Sequence, residues 1–174
     1  VVTAAHCVRG VTAGNVSVIL GDHRRSVTEG TEQTRTIAQI IVHPEFNATT
    51  LNNDIALLRL SVPATLNARV DIATIAPLPD VGTMLRVIGW GRTSEGGTLA
   101  DRLQQVDVPL VAQGTCADTY PVFGNPLDIT ASMFCAGPPQ GLRDACNGDS
   151  GGPIFLPNTR RLVGLVSWGI GCAR

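Results

Sequence analysis

Three residues far apart in the chain carry groups that could act together. They are His6 in "TAAHC", Asp54 at the head of "DIALLRL", and Ser150 in "DACNGDSGGP". Singly, each has an ordinary explanation: a histidine in an apolar setting, an acid at a turn before a strand, a loop hydroxyl. Jointly they are the parts needed for covalent acyl transfer. That chemistry takes a nucleophile, a base to accept its proton, and a carboxylate to set the base's tautomer and stabilise the imidazolium. It also takes backbone N–H groups aimed at a developing oxyanion. "NGDSGG" can supply them, because Gly148 lets the backbone turn without a Cβ and its N–H can converge with that of Ser150. The order His, Asp, Ser along the chain is one that such triads adopt.

These residues must be held by something, and the surrounding sequence reads as strands. Short apolar or alternating runs recur between turn signals: 15–21, 36–43, 54–60, 84–91, 103–111, 151–156 and 162–169. The opening "VVTAAHC" likewise reads as the middle of a buried strand. No long amphipathic helix is evident, although "VAQGTCADTY" (111–120) could make a turn or two. Many short strands with Gly- and Pro-rich turns predict an all-β sandwich or pair of barrels. "APLPDVG" (76–82) is the best linker between two halves of similar character.

Composition agrees. The 174 residues suffice for one ordinary domain or two small ones, 44% are hydrophobic, and 19 glycines with 11 prolines favour turns over helices. A net charge of −1 leaves no broad basic face, which argues against nucleic acid as a partner. No run approaches the roughly 20 apolar residues that span a bilayer. The chain opens and stops in what read as structured segments, so a piece of a longer chain is expected. Five cysteines (Cys7, Cys116, Cys135, Cys146 and Cys172) include no Cys-x-x-Cys pair. Two disulfides plus one thiol with an outside partner is the economical reading, and it points to an oxidising, extracellular compartment. Sequons at Asn15 and Asn47 agree with secretion. "GDSGG" also satisfies the loose G-x-S-x-G elbow of lipase-type hydrolases, but there the histidine comes last, and here every histidine precedes Ser150.

With "TAAHC", "LNNDIALLRL", "GWG" (89–91), "MFCAG" (133–137), "DACNGDSGGP" and "VSWGIGCA" (166–173) in this order, the chain resembles the chymotrypsin/trypsin family of serine proteases along essentially its whole length. The resemblance implies two antiparallel six-stranded β-barrels, here truncated at both ends. Residues 1–75 would be the remaining part of the first barrel, 76–80 the linker and 81–174 most of the second. It implies His6 as base, Asp54 as its orienting acid, Ser150 as nucleophile, and Gly148 with Ser150 as oxyanion donors.

The resemblance also makes Asp144 the buried floor of the primary pocket, where a desolvated carboxylate would select Arg or Lys. Ala145 stands where a serine is common; without that hydroxyl a Lys ammonium loses a partner, whereas Arg can still bind Asp144 in bidentate fashion. Ser167, Trp168 and Gly169 resemble the segment that pairs with extended substrate, with the small Gly169 leaving the pocket mouth open. "GDHRRSVTEGTEQ" (21–33) resembles the family's calcium loop, with Asp22, Glu29 and Glu32 carboxylates and the Arg24 and Val27 carbonyls as the implied oxygen shell. Asp22 stands where the family has the longer glutamate. The implied disulfides are Cys116–Cys135 and Cys146–Cys172, while Cys7 would pair upstream of Val1. Leu85 and Leu156 occupy positions where many relatives have a further cysteine pair, so an apolar contact should replace that bridge. Residues 120–130 are longer than in the family, and no subsite contacts are carried over there. Asp149 would form an ion pair with a new N-terminus freed by activation, so this stretch on its own is expected to be inactive.

The expected protein is therefore a secreted, extracellular serine endopeptidase. It would be made as a zymogen and cleave after Arg and Lys, with no cofactor for catalysis and at most a structural calcium. Partners would be protein or peptide substrates and protein protease inhibitors, and the enzyme is expected to be a monomer without a membrane segment. The alternative is a catalytically silent homologue serving as a binding or regulatory module.

Overall fold

The computed structural model describes residues 1–122 and 128–172, with only the backbone at 121–122. Part of the long 120–130 stretch, and residues 173–174, lie outside the described residues. Among the described residues the strands form two sheets. The first has the order β1 (Val2–Thr3), β4 (Ala56–Leu60), β3 (Gln33–Val42), β2 (Ser17–Leu20), all antiparallel. The second has the order β5 (Thr74–Ile75), β9 (Arg161–Leu165), β8 (Pro153–Phe155), β6 (Met84–Gly89), β7 (Gln104–Pro109). Only β5 pairs in parallel, with β9, so residues 74–75 hydrogen-bond into the second sheet. The fold is the curled all-β arrangement that the resemblance implies.

The strands follow the side-chain pattern. In β4, Ala56 and Leu58 are buried while Leu57 and Arg59 are exposed, because successive side chains of a strand point to opposite faces. Together with Ala5, Val8 and Ile37 they form the first core, against which Val18, Ile40 and Phe46 pack. The long strand β3 changes partner along its length, meeting β2 through Gln33–Thr36 and β4 through Ile37–Val42. A register shift between Ile37 and Gln39 bends it there, which is how one strand can turn the sheet's edge inward. The second core is Leu85, Val87, Val108, Leu110 and Ile154. Leu85 is fully buried and Leu156 packs against the same cluster, consistent with an apolar contact in place of a bridge.

Two short helices interrupt the strands. α1 (Ala5–Val8) departs from the expected buried strand: β1 ends at Thr3 and the chain turns at once. Alanines favour the turn, and the N–H of His6, which a single helical turn leaves unpaired, donates to Asp54 Oδ1 at 2.8 Å. α2 (Gln113–Val122) is longer than the turn or two anticipated. Disulfide Cys116–Cys135 ties it to the following segment, and Cys146–Cys172 joins the Gly-rich turn to the stretch after β9; both match the implied pairing. Among the described residues Cys7 has no disulfide partner, and it is exposed.

Candidate active site

The two sheets meet at a cleft of about 790 Å³ whose lining includes His6, Asp54, Ser150, Asp144, Ser167 and Trp168. α1 carries His6 to one wall. The Asp54 side chain, at the end of the loop before β4, is only 3% exposed, and its oxygens are fully engaged. Oδ1 accepts from His6 N–H, and Oδ2 accepts from His6 Nδ1 at 2.7 Å and from the Ser167 hydroxyl at 2.5 Å. An ionised carboxylate only accepts, so Nδ1 must be the protonated nitrogen of the neutral ring, and Nε2 keeps a lone pair. Nε2 lies 3.5 Å from Cys7 Sγ. Partial burial pushes the Cys7 thiol up, and the nearby Asp54 charge adds to it. Ser150 is exposed in the same cleft, and among the described residues its hydroxyl has no hydrogen-bond partner.

Ser150 owes its place to a tight turn. Gly148 sits at φ +99°, a region where side chains are strained, and a Cβ there would also lie 2.5 Å from Leu99 Cδ2. Among the described residues, the N–H groups of Gly148 and Ser150 have no protein acceptor and so are open to an incoming anion. Asp149, between them, turns inward. Its Oδ1 accepts from Gly91 N–H at 2.8 Å and its Oδ2 from Cys146 N–H at 2.9 Å. The carboxylate lies directly against the Cα positions of Gly89 and Gly91, which is why "GWG" must flank the tryptophan with glycines.

Residues 1–174 match the family described as Trypsin. The chain is 47% identical over 182 residues to "Trypsin-1" of Astacus astacus, covering 99% of this chain and 74% of that protein. It is 44% identical over 179 residues to "Trypsin" of Sus scrofa (100% and 71%) and 43% identical over 176 residues to "Putative trypsin-6" of Homo sapiens (100% and 67%). The chain belongs to the trypsin family. It is a serine endopeptidase, a hydrolase acting on protein substrates, and no helix among the described residues is long and apolar enough to cross a membrane.

The residues expected to form the specificity wall line the cleft, with one departure. Asp144, Ala145, Ser167, Trp168 and Gly169 all line the cleft, and a Cβ at Gly169 would meet nothing within 4 Å. Asp144, however, is exposed rather than the buried floor that the resemblance implied. Water at the carboxylate weakens its pull on a substrate cation compared with a desolvated one. Its charge still reaches Tyr120, whose phenol is pushed up by burial first and by Asp144 second. The Tyr120 ring meets Trp168 edge-on at 4.7 Å. Tyr120, His43 and Leu51 also line the cleft and were not singled out from the sequence. Nothing in their neighbourhoods flags them; only folding brings them to the rim.

The acidic loop does not gather a calcium shell. Glu32 turns its carboxylate to the N–H groups of Glu29 and Thr31, which hold its carboxyl below the usual range. Asp22 Oδ1 accepts from Arg24 N–H, and the Arg24 carbonyl from Val27 N–H. Among the described residues no group of three or more His, Cys, Asp or Glu side chains is placed to hold a metal ion. As folded, Asp22, Arg24, Val27, Glu29 and Glu32 do not fit calcium. The loop is fastened instead by Asp101, which accepts from Arg24 Nε at 3.0 Å and from the N–H and hydroxyl of Ser26.

Proposed function

We propose that the protein is a secreted endopeptidase that cleaves after Arg, and less readily after Lys, through an acyl-enzyme on Ser150. The observation that carries this reading is the pair of bonds from His6 to a buried Asp54, in a cleft shared with Ser150 and Asp144. With Nδ1–H committed to Asp54, His6 Nε2 takes the Ser150 proton as Oγ attacks the substrate carbonyl. The tetrahedral oxyanion is held by the N–H groups of Gly148 and Ser150. As the C–N bond breaks, His6 returns the proton to the departing amine, leaving an ester on Ser150. Water, deprotonated by the same nitrogen, hydrolyses that ester and restores Ser150.

Asp144 supplies the charge that draws a basic side chain into the cleft. Ala145 offers no hydroxyl to a Lys ammonium, which favours Arg. Secretion is supported by the two disulfides and by the exposed sequon residues Asn15 and Asn47. Synthesis as a zymogen is supported by the resemblance, in which the acid at Asp149 pairs with an N-terminus freed by cleavage. The test is hydrolysis of matched peptides with Arg, Lys or Phe before the scissile bond by the whole, activated protein, with Ser150→Ala as control. Turnover led by Arg and abolished in the control is expected. No turnover despite confirmed activation, or equal turnover of Arg and Phe, would overturn the reading.

A further inference from the structure

The loop that delivers Asp54 is held by the opposite half of the molecule. Asn52, two residues before the acid, offers its Oδ1 to two hydroxyls at once, Thr130 Oγ1 at 2.6 Å and Ser132 Oγ at 2.7 Å. Ser132 Oγ also accepts from the Asn53 N–H at 3.1 Å and lies 3.1 Å from Thr130 Oγ1. Four polar groups thus close one small network across about 80 residues of sequence. From this geometry we infer that Asn52, Thr130 and Ser132 form a clasp that positions Asp54 against His6, resting on the catalytic reading above.

Backbone geometry supports a positioning role over simple adhesion. Leu51 and Asn53, on either side of Asn52, both adopt left-handed φ, 56° and 55°. A leucine there is a steric outlier, and such strain persists only where surrounding contacts over-determine it. Immediately after, the Ile55 N–H closes onto Asn53 O at 2.8 Å, so Asp54 sits in the middle of a tight turn whose entry the clasp controls. The anchoring side is itself tied to α2 and to its own turn. Gln113 of α2 donates to Thr130 O, Met133 N–H donates to the same carbonyl, and Cys135 is bridged to Cys116 of α2. Ser132 and Asn53 also line the cleft, so the clasp stands at its rim. The second half of the chain, which supplies the nucleophile, therefore also sets the aim of the acid in the first half.

None of the three touches the reacting atoms, so their effect must pass through Asp54 and His6. Ser132→Ala, Thr130→Val and the double variant would be made in the whole, activated protein, with Ser132→Thr as the variant that keeps the hydroxyl. The double variant is expected to lose roughly tenfold in kcat, with KM for a small ester substrate nearly unchanged, since a slightly misaimed group costs rate more than binding. Ser132→Thr should restore the rate. A second readout needs no turnover. In the Ser150→Ala background, the deshielded His6 Nδ1 proton bonded to Asp54 should shift or broaden by NMR when the clasp is cut. An unchanged proton signal together with a kcat within twofold of the parent would overturn the clasp while leaving the triad standing. A parent with no turnover, whose Ser150→Ala form nevertheless loses the signal when the clasp is cut, would instead sink the catalytic reading and keep the clasp.

Discussion

Replacing Gly91 with alanine tests how a residue remote from the nucleophile holds it in place. The new methyl would be built into the Asp149 carboxylate, within 2.6 Å of Oδ1, and the partner is too short to swing clear without leaving its site. Overpacking of this kind costs about 1–3 kcal/mol. If Asp149 withdraws, its bonds to Gly91 N–H and Cys146 N–H are lost as well, each worth about 1.5–3 kcal/mol for a charged acceptor before water takes up part of the loss. The net expectation is roughly 4 kcal/mol of lost stability, a fall in Tm on the order of 10 °C for a chain of this size. Activity should fall further than stability alone explains. Asp149 lies between Gly148 and Ser150, so a displaced side chain misdirects both oxyanion N–H groups, at least about a hundredfold in kcat. The assays are thermal unfolding and the rate of labelling by a serine-directed phosphonate. Gly114→Ala is the control: Gly114 lies in α2 with open space around its Cα, so alanine there should stabilise by up to about 1 kcal/mol. A Gly91→Ala protein that melts within two or three degrees of the parent and labels at the same rate would refute the packing argument.

Three further outcomes follow from the charged groups. Arg86 and Asp107 face each other across β6 and β7 in a two-pronged pair at 2.7 and 2.8 Å, and the hydrogen bonds from Arg86 hold the Asp107 carboxyl below its ordinary value. A carboxyl lowered on folding stabilises above its unfolded pKa of about 4 and loses that contribution as pH falls through its folded value. The parent should therefore lose stability more steeply than Asp107→Asn between about pH 4 and pH 2, measured by urea midpoints across that range. Because Asp101, rather than a gathered set of carboxylates, fastens residues 22–27, Asp101→Asn should loosen that loop to proteolysis. Added calcium should then leave the parent's Tm unchanged; a calcium-dependent rise would show that the loop rearranges to bind the ion.

The residues assigned to the chemistry were legible because acyl transfer demands particular groups in a particular local frame. A turn as tight as that at Gly148 excludes a side chain, so glycine and serine had to stand together in the sequence. Strand positions were legible for a similar reason: period-two burial, as at Ala56 and Leu58, is written one residue at a time. The short helix at Ala5–Val8 was not, since a hydrogen bond from the His6 N–H to Asp54, 48 residues away, stabilises that turn. Sequence alone determined which side chains can act as nucleophile, base and acid, the strand-rich class, and the glycines of the reactive turn, all properties of residue type and near neighbours. Tertiary structure alone decided that Asp144 is wetted, that Asp101 fastens the loop at Arg24 and Ser26, and that Thr130 and Ser132 reach across to Asn52. Each of those depends on distances between segments far apart in the chain, and solvation and hydrogen bonding act through space, not along the sequence.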